Sequence, residues 1–291
     1  MNIQHVPVML KEVTEMLQPQ HDGIYIDATV GLGGHAEAIL QQSGGCVLIG
    51  IDKDEMALEM SRKRLGKYSD IHFVKDSFSN MKSVAEDLGF DRVNGILLDA
   101  GVSTLQLKAE DRGFSFIKDE PLDMRMDQSK GFTARDVVNT YPEKKLADII
   151  WKYGEERYSR KIARAIVYAR KKKPVTSCDE LAGIIAKAVG RRGRIHPATR
   201  TFQAIRIEVN KELDELSTAV ESGAELLQTG GRFCVLSYHS LEDRIIKNAF
   251  KKLAKDGLFN IITRKPLVPG REEQRSNPSS RSAKLRVGEK I

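Results

Sequence analysis

The stretch Tyr25–His35, Y-I-D-A-T-V-G-L-G-G-H, constrains this chain more than any other, because an apolar run ends in a glycine turn that opens a helix-forming segment. Ile24, Ile26, Ala28 and Val30 suit a buried strand, and Gly31, Gly33 and Gly34 permit a tight turn with close backbone approach. His35–Leu40 is helical in composition. Such a corner points backbone N–H groups and the positive end of a helix at a ligand. A second apolar strand, Cys46–Ile51, delivers Asp52 at the separation that ribose recognition needs in a βαβ unit. Turn and acid together predict an adenosine-bearing cofactor. The turn lacks the spaced third glycine of a dinucleotide fingerprint, and Asp27 stands just before it, where a carboxylate meets an amino-acid ammonium better than a pyrophosphate. Between NAD and S-adenosylmethionine, that favours S-adenosylmethionine.

The first 110 residues continue the alternation, with strands at Ile24–Val30, Cys46–Ile51, Ile71–Val74 and Val93–Asp99 and helices at His35–Gln42, Glu55–Leu65 and Met81–Leu88. This predicts an α/β fold built on a Rossmann-like, doubly wound parallel sheet. Asp54 is placed to cap the Glu55 helix, with Met56, Leu58, Met60 and Leu65 as its inner face. The pattern then turns helical: Pro142–Tyr153, Glu155–Lys172, a segment from Ser177 to Gly190, and a long helix from about Ala198. At Gly230-Gly231 the sheet pattern resumes with Arg232–Ser237, a helix over Leu241–Lys255, a polar loop and a strand-like Ala283–Val287. The expected organisation is a first sheet segment over 1–110, a helical RNA-binding insertion over 111–209 and a second sheet segment with a basic tail over 210–291.

Of the 291 residues 41% are hydrophobic and 30% charged, and nowhere do eighteen apolar residues occur in succession, so a soluble, cytoplasmic protein with no membrane partner is expected. Cys46, Cys178 and Cys234 are far apart and odd in number, the pattern of buried free thiols and not of zinc or disulfides. The net charge of +7 is segregated: 111–210 carries 22 Lys and Arg against 13 Asp and Glu, and 261–291 carries 8 against 3. Segregated basicity favours a polyanionic partner, RNA or DNA.

Val93–Asp99 delivers Asp99 to the carboxyl edge of the sheet, where open α/β sheets bind ligands. In a methyltransferase this position lies between donor and acceptor, and an exocyclic amine, whose lone pair is delocalised, needs a polar acceptor there. Asp99 is one candidate catalytic residue. The next core strand runs into Tyr238, His239 and Ser240 at the same edge. His239 is the second candidate, able to meet a base or take a proton, while Ser240 either meets the RNA or caps the Leu241 helix. Arg112 and Arg125, in the run from Asp111 to Asp127, are candidates for phosphate contacts, as are Arg191, Arg192, Arg194, Arg200 and Arg244.

The segments H-V-P-V-M-L, D-A-T-V-G-L-G-G-H, L-L-D-A-G-V-S-T-L-Q-L, R-G-F-S-F, P-L-D-M-R-M-D, A-T-R-T-F-Q-A-I-R-I-E-V-N-K-E-L, L-S-Y-H-S-L-E-D-R and N-P-S-S-R-S-A-K-L-R run in order over essentially the whole chain. They resemble the RsmH (MraW) family of bacterial 16S rRNA cytosine-N4 methyltransferases. The resemblance implies a class I methyltransferase fold with a helical insertion, S-adenosylmethionine as donor, and a P-site cytidine of 16S rRNA in the small ribosomal subunit as acceptor. It implies cofactor contacts at Gly33, Gly34, His35, Asp52, Phe78, Asp99 and Gln106, implies no metal, and leaves a homodimer open. A non-catalytic RNA-binding assembly factor on the same fold, and an NAD-dependent oxidoreductase, are the rival expectations.

Overall fold

Successive residues of a strand face opposite sides, so a strand covered on both faces reads as a continuous apolar run. That describes β1 (Ile24–Asp27), β2 (Val47–Asp52) and β4 (Val93–Asp99). The computed structural model describes residues 6–101, 112–115, 119–129, 131–190 and 196–291. The chain divides into two units, Met1–Leu105 with Leu213–Ile291, and Gln106–Glu212. In the first, β3 (Ile71–Lys75), β5 (Leu227–Ser237), β6 (Phe259–Ile261) and β7 (Lys284–Lys290) complete a seven-stranded sheet of order β3-β2-β1-β4-β5-β7-β6. All strands are parallel except β7, which runs antiparallel to β5 and β6. This is a class I methyltransferase fold.

The alternation decides the layers. Ile26, Ile96, Leu98, Phe233 and Val235 pack under α4 (Met81–Asp87), α10 (Glu212–Leu226) and α11 (Ser240–Lys255). Their neighbours Tyr25, Leu97, Cys234 and Leu236 face α1 (Leu10–Leu17), α2 (Gly34–Ser43) and α3 (Glu55–Leu65). After β3 the chain returns to the far side of β1 as β4, so the strand order reverses between β1 and β4. The crevice beyond the carboxyl ends of those two strands is where such a sheet binds ligands.

Local differences from the sequence reading have identifiable causes. Asp54 caps α3, its side chain accepting from Met56 N at 3.1 Å, but Met56 is half exposed and the buried face is Ala57, Leu58, Ser61 and Leu65. β5 begins at Leu227, ahead of the glycine pair, because Leu227 pairs with Val93 and Arg232 with Gly95, leaving a bulge that Gly230 turns at a φ of +78°. β6, an edge strand of three residues, and α1 are too short to announce themselves. All three cysteines are buried and free.

In the second unit, α5 (Ala134–Thr140), α6 (Glu143–Gly154), α7 (Ser159–Arg170), α8 (Cys178–Val189) and α9 (Thr199–Asn210) bury a separate core including Val137, Ile150, Ile162, Leu181 and Phe202. α7 starts at Ser159 and not at Glu155, which takes a left-handed φ of 48° and ends α6. α5, too short for a clear apolar period, is marked by T-A-R-D at its start: Thr133 Oγ1 accepts from Asp136 N at 3.3 Å and Asp136 Oδ2 accepts from Thr133 N at 2.8 Å, a reciprocal capping box. No helix among the described residues is long and apolar enough to cross a membrane. Replacing Thr133 by Ala removes an N-cap, and urea unfolding should register a loss of about 1 kcal/mol, whereas Thr133→Ser should stay near wild type.

Candidate active site

β1, β2 and β4 each end on an aspartate, so the topology brings Asp27, Asp52 and Asp99 to one sheet edge. The Asp27 and Asp52 carboxylates are tied to the backbone around the glycine turn, and Asp99 reaches it through its own N–H. Asp52 Oδ2 accepts from Gly31 N and Oδ1 from Asp54 N, both at 2.9 Å. Asp27 Oδ1 accepts from Thr29 N at 3.2 Å, and Thr29 Oγ1 accepts from Asp99 N at 2.8 Å. Burial pushes the Asp27 carboxyl up to about 7, against the Thr29 N–H and with help from the negative charges of Asp99 and Asp52. Burial likewise lifts Asp52 to about 6, opposed by the Asp54 and Gly31 N–H groups.

Such a cluster selects a cation. The donors of the turn are already committed, Gly31 N to Asp52 and Gly33 N to Val30 O at 2.7 Å, so the turn offers a pyrophosphate fewer free N–H groups than its sequence suggests. The residues fit a compact cationic ligand: Gly31 and Gly33 hold φ values of +50° and +74°, and a Cβ on Gly33 would meet Leu65 Cδ1 and Ser61 Oγ at 3.2 Å. A Cβ on Gly34 would stand 2.3 Å from Pro7 Cγ, so the turn is roofed by the N-terminal segment.

That roof is held from two distant places. His35, the second residue of α2, is buried and its Nε2 lies 2.9 Å from Val8 O. Burial pushes the His35 pKa down against the pull of Asp99 and the Val8 carbonyl, which suits a neutral ring donating from Nε2. Met9 N donates to Glu273 Oε1 at 2.7 Å and Asn277 Nδ2 to Val6 O at 3.1 Å. Glu273 and Asn277 belong to the polar loop before β7, where α12 (Arg271–Ser276) forms; no sequence pattern links residue 273 to residue 9. Phe78, in a single 3-10 turn after β3, is half-buried under Lys53 Nζ, 5.2 Å from its ring centroid, and Lys53 is itself ion-paired with Glu215.

On the acceptor side, Asp99 Oδ2 receives the Tyr238 hydroxyl at 3.1 Å and Oδ1 the Gly101 N–H at 3.0 Å. Burial and the adjacent Asp99 charge hold the Tyr238 phenol well above its ordinary pKa, so it stays a donor. Among the described residues no other group bonds the Asp99 carboxylate, whose further lone pairs face the sheet edge. Tyr238 follows β5 directly and precedes His239, a position that no sequence motif marks as one that reaches Asp99. The N-cap of α11 is His239, not Ser240: His239 Nδ1 accepts from Glu242 N at 3.4 Å, and Glu242 Oε2 accepts from His239 N at 3.2 Å and Tyr238 N at 2.7 Å. His239 Nε2 lies 3.0 Å from Glu242 Oε1 but off the axis of a hydrogen bond.

The arginines divide. Arg112 is buried, contrary to the phosphate role read from the sequence, and its Nη2 donates to the carbonyls of Arg125 and Met126. Arg125 is clamped by Asp123 at 2.6 Å and by Gln128 O at 3.1 Å. Arg200 and Arg244 are exposed. Arg191, Arg192, Arg194 and Gln106 lie outside the described residues.

Asp27 sets a pH dependence. Its carboxyl rises from 3.8 in an ordinary setting to about 7 in the fold, so the folded chain holds a proton that the unfolded chain has shed. The stability this lends is full below 3.8 and is lost as pH climbs through about 7. Thermal melts of the ligand-free protein should therefore show Asp27→Asn gaining on wild type from pH 5 to pH 8, by up to a few kcal/mol. Melting curves that keep a constant offset would mean that Asp27 is charged throughout.

Residues 2–291 match the model of the MraW methylase family. The ribosomal RNA small subunit methyltransferase H of Caldicellulosiruptor bescii is 48% identical, covering 99% of each chain. The protein of the same name from Sulfurihydrogenibium sp. is 49% identical over 99% of this chain and all of that one, and the one from Clostridioides difficile 45% identical over the whole of both. A match of this extent, to a family model and to full-length relatives alike, makes the chain a member of the MraW methylase family.

Proposed function

We propose that this protein transfers a methyl group from S-adenosylmethionine to the exocyclic N4 of a P-site cytidine in 16S rRNA of the small ribosomal subunit. One observation carries the reading: a carboxylate, Asp99, fixed by Tyr238 and Gly101, stands at the sheet edge that also holds the glycine turn and the buried Asp27. S-adenosylmethionine supplies an electrophilic methyl group on a sulfonium sulfur. The clustered carboxylates favour its positive charges, with Asp27 meeting the ammonium; Asp52 accepts from the ribose hydroxyls, Gly33 and Gly34 shape the turn and Phe78 flanks the base. His35 serves the same site by pinning Val8 and with it the roof.

Asp99 accepts an N–H of the target amine and so turns the nitrogen lone pair toward the incoming carbon. As the N–C bond forms the methyl–sulfur bond would break, leaving neutral S-adenosylhomocysteine, and the nitrogen becomes strongly acidic only then, so its proton passes to Asp99 and placement matters more than a strong base. An RNA base must be unstacked to reach such an edge. The basic second unit supplies affinity for the backbone, and its exposed Trp151 and Tyr168, the latter with Lys172 Nζ 4.7 Å from its ring centroid, interleave aromatic and cationic groups as RNA-binding faces do.

Incubation with donor carrying a tritiated methyl group and with small subunits, followed by mapping of the label, tests the reaction; label at a ribose or at any base other than a cytidine would refute it. In calorimetry, S-adenosylhomocysteine should bind and NAD should not. Asp52→Ala should weaken that binding by about 1.5 to 3 kcal/mol, since buried ribose hydroxyls lose a charged acceptor; unchanged affinity removes Asp52 from the site.

Single-turnover rates separate Asp99 from His239. Asp99→Asn should slow transfer at least about tenfold and also reduce cofactor affinity. His239→Ala should slow transfer while leaving cofactor affinity within about threefold, and His239→Asn, which retains a capping oxygen, should recover most of the rate. A rate that stays low in His239→Asn would make the imidazole itself a participant.

A further inference from the structure

Behind the sheet edge, on the face covered by α11, lies a cavity of about 160 Å3 that the chemistry above does not use. Its floor is Phe250 and Ile261, and its cationic wall is Lys247 and Lys251 from α11, Arg264 after β6, and Arg286 from β7. Arg286 is buried and bonded to Asp243 Oδ1 at 2.7 Å, which fixes its guanidinium in the wall, and Asp243 is shared with Lys284 at 3.1 Å. Lys247, Lys251 and Arg264 are exposed. Four cations and no acid are among the described residues that line the cavity, and Asp243 lies behind them as the partner of Arg286 and Lys284.

The position is as telling as the charge. α11 begins at the sheet edge that carries Tyr238, after β5, and Asp99, at the end of β4, and runs back to the cavity. Arg244, Lys247 and Lys251 fall at i, i+3 and i+7 on its exposed side, a stripe about 10 Å long. That reach is of the order of two phosphate spacings of an extended strand. An apolar floor with a cationic rim suits a ribose or base with its phosphates, and an uncharged or basic partner would leave the lysines unmatched.

We infer that this cavity, with the Arg244–Lys247–Lys251 stripe leading to it, is a second RNA-backbone site, in the sheet unit and apart from the helical insertion, holding the substrate strand on one side of the target cytidine. The inference rests on the proposed reaction for the identity of the RNA. Its test is the triple variant Lys247→Gln, Lys251→Gln, Arg264→Gln, compared with a control that removes the same charge elsewhere, Lys11→Gln, Lys63→Gln, Lys67→Gln. Binding of small subunits is measured by filter retention from 50 to 300 mM salt, with S-adenosylhomocysteine affinity and melting temperature beside it.

The triple variant should bind subunits at least about tenfold more weakly, with the slope of log K against log salt flattened by about 2, and with cofactor affinity unchanged. The control should keep the wild-type slope. A wild-type slope in the triple variant, or an equal flattening in the control, overturns the site. If wild type binds subunits but transfers no methyl group, the reaction fails and the slopes still decide the cavity; if it binds no subunits at all, both fail.

Discussion

Like charges gathered at one sheet edge are the constraint around which the first unit is built. Three adjacent strands end on carboxylates, and water is largely kept from two of them, so the carboxylates cannot all be ionised without a cost of several kcal/mol. The fold offsets part of that cost locally. The N–H groups of Gly31 and Asp54 serve Asp52, that of Thr29 serves Asp27, and Tyr238 and Gly101 serve Asp99. The remainder stays as a raised proton affinity at Asp27 and Asp52, which a bound cation would relieve. A site that is costly when empty of positive charge discriminates for a sulfonium-bearing amino acid and against a pyrophosphate before any shape is considered.

The same site explains why the two ends of the chain must meet. Glycines with no room for a Cβ need a cover, and the cover is the N-terminal segment from Val6 to Met9, with Met9 itself in a left-handed conformation at φ 53°. Such a backbone persists only if its surroundings hold it. His35 takes Val8 from below, and Glu273 and Asn277 take Met9 and Val6 from the loop that precedes β7. Because β7 runs antiparallel beside β5, its entry point, Lys284, sits at the carboxyl edge opposite Ser237, which brings that loop back to the site. The reversed strand thus has a positional consequence for the turn nearly 250 residues earlier.

What could be read without coordinates was what is encoded locally. The strand-turn-helix of the glycine corner, the aspartates at strand ends and the cap at Asp54 each follow from a short window with one dominant physical signal. What escaped was set by partners far away in sequence or by competition within a short segment. Arg112 looks like any exposed arginine beside acids and aromatics until Arg125 and Met126 turn their carbonyls to it. Glu273 looks like loop solvation until Met9 arrives. Ser240 has the stronger intrinsic claim to cap a helix, but Glu242 lies three residues after His239, and the reciprocal bond to the His239 N–H sets the helix start one residue earlier.

That shift bears on the chemistry. With Nδ1 accepting from the Glu242 N–H, that ring nitrogen is committed to the helix start. Glu242 in turn accepts from the backbone N–H groups of His239 and Tyr238, so one carboxylate holds both the helix start and the strand end. The Tyr238 hydroxyl then donates to Asp99 Oδ2, beside the Gly101 N–H on Oδ1. The arrangement makes more sense as a positioning chain, from Glu242 through the strand end to the Tyr238 hydroxyl and the Asp99 carboxylate. Chemistry that requires orientation and only a weak acceptor is well matched to a carboxylate held so firmly.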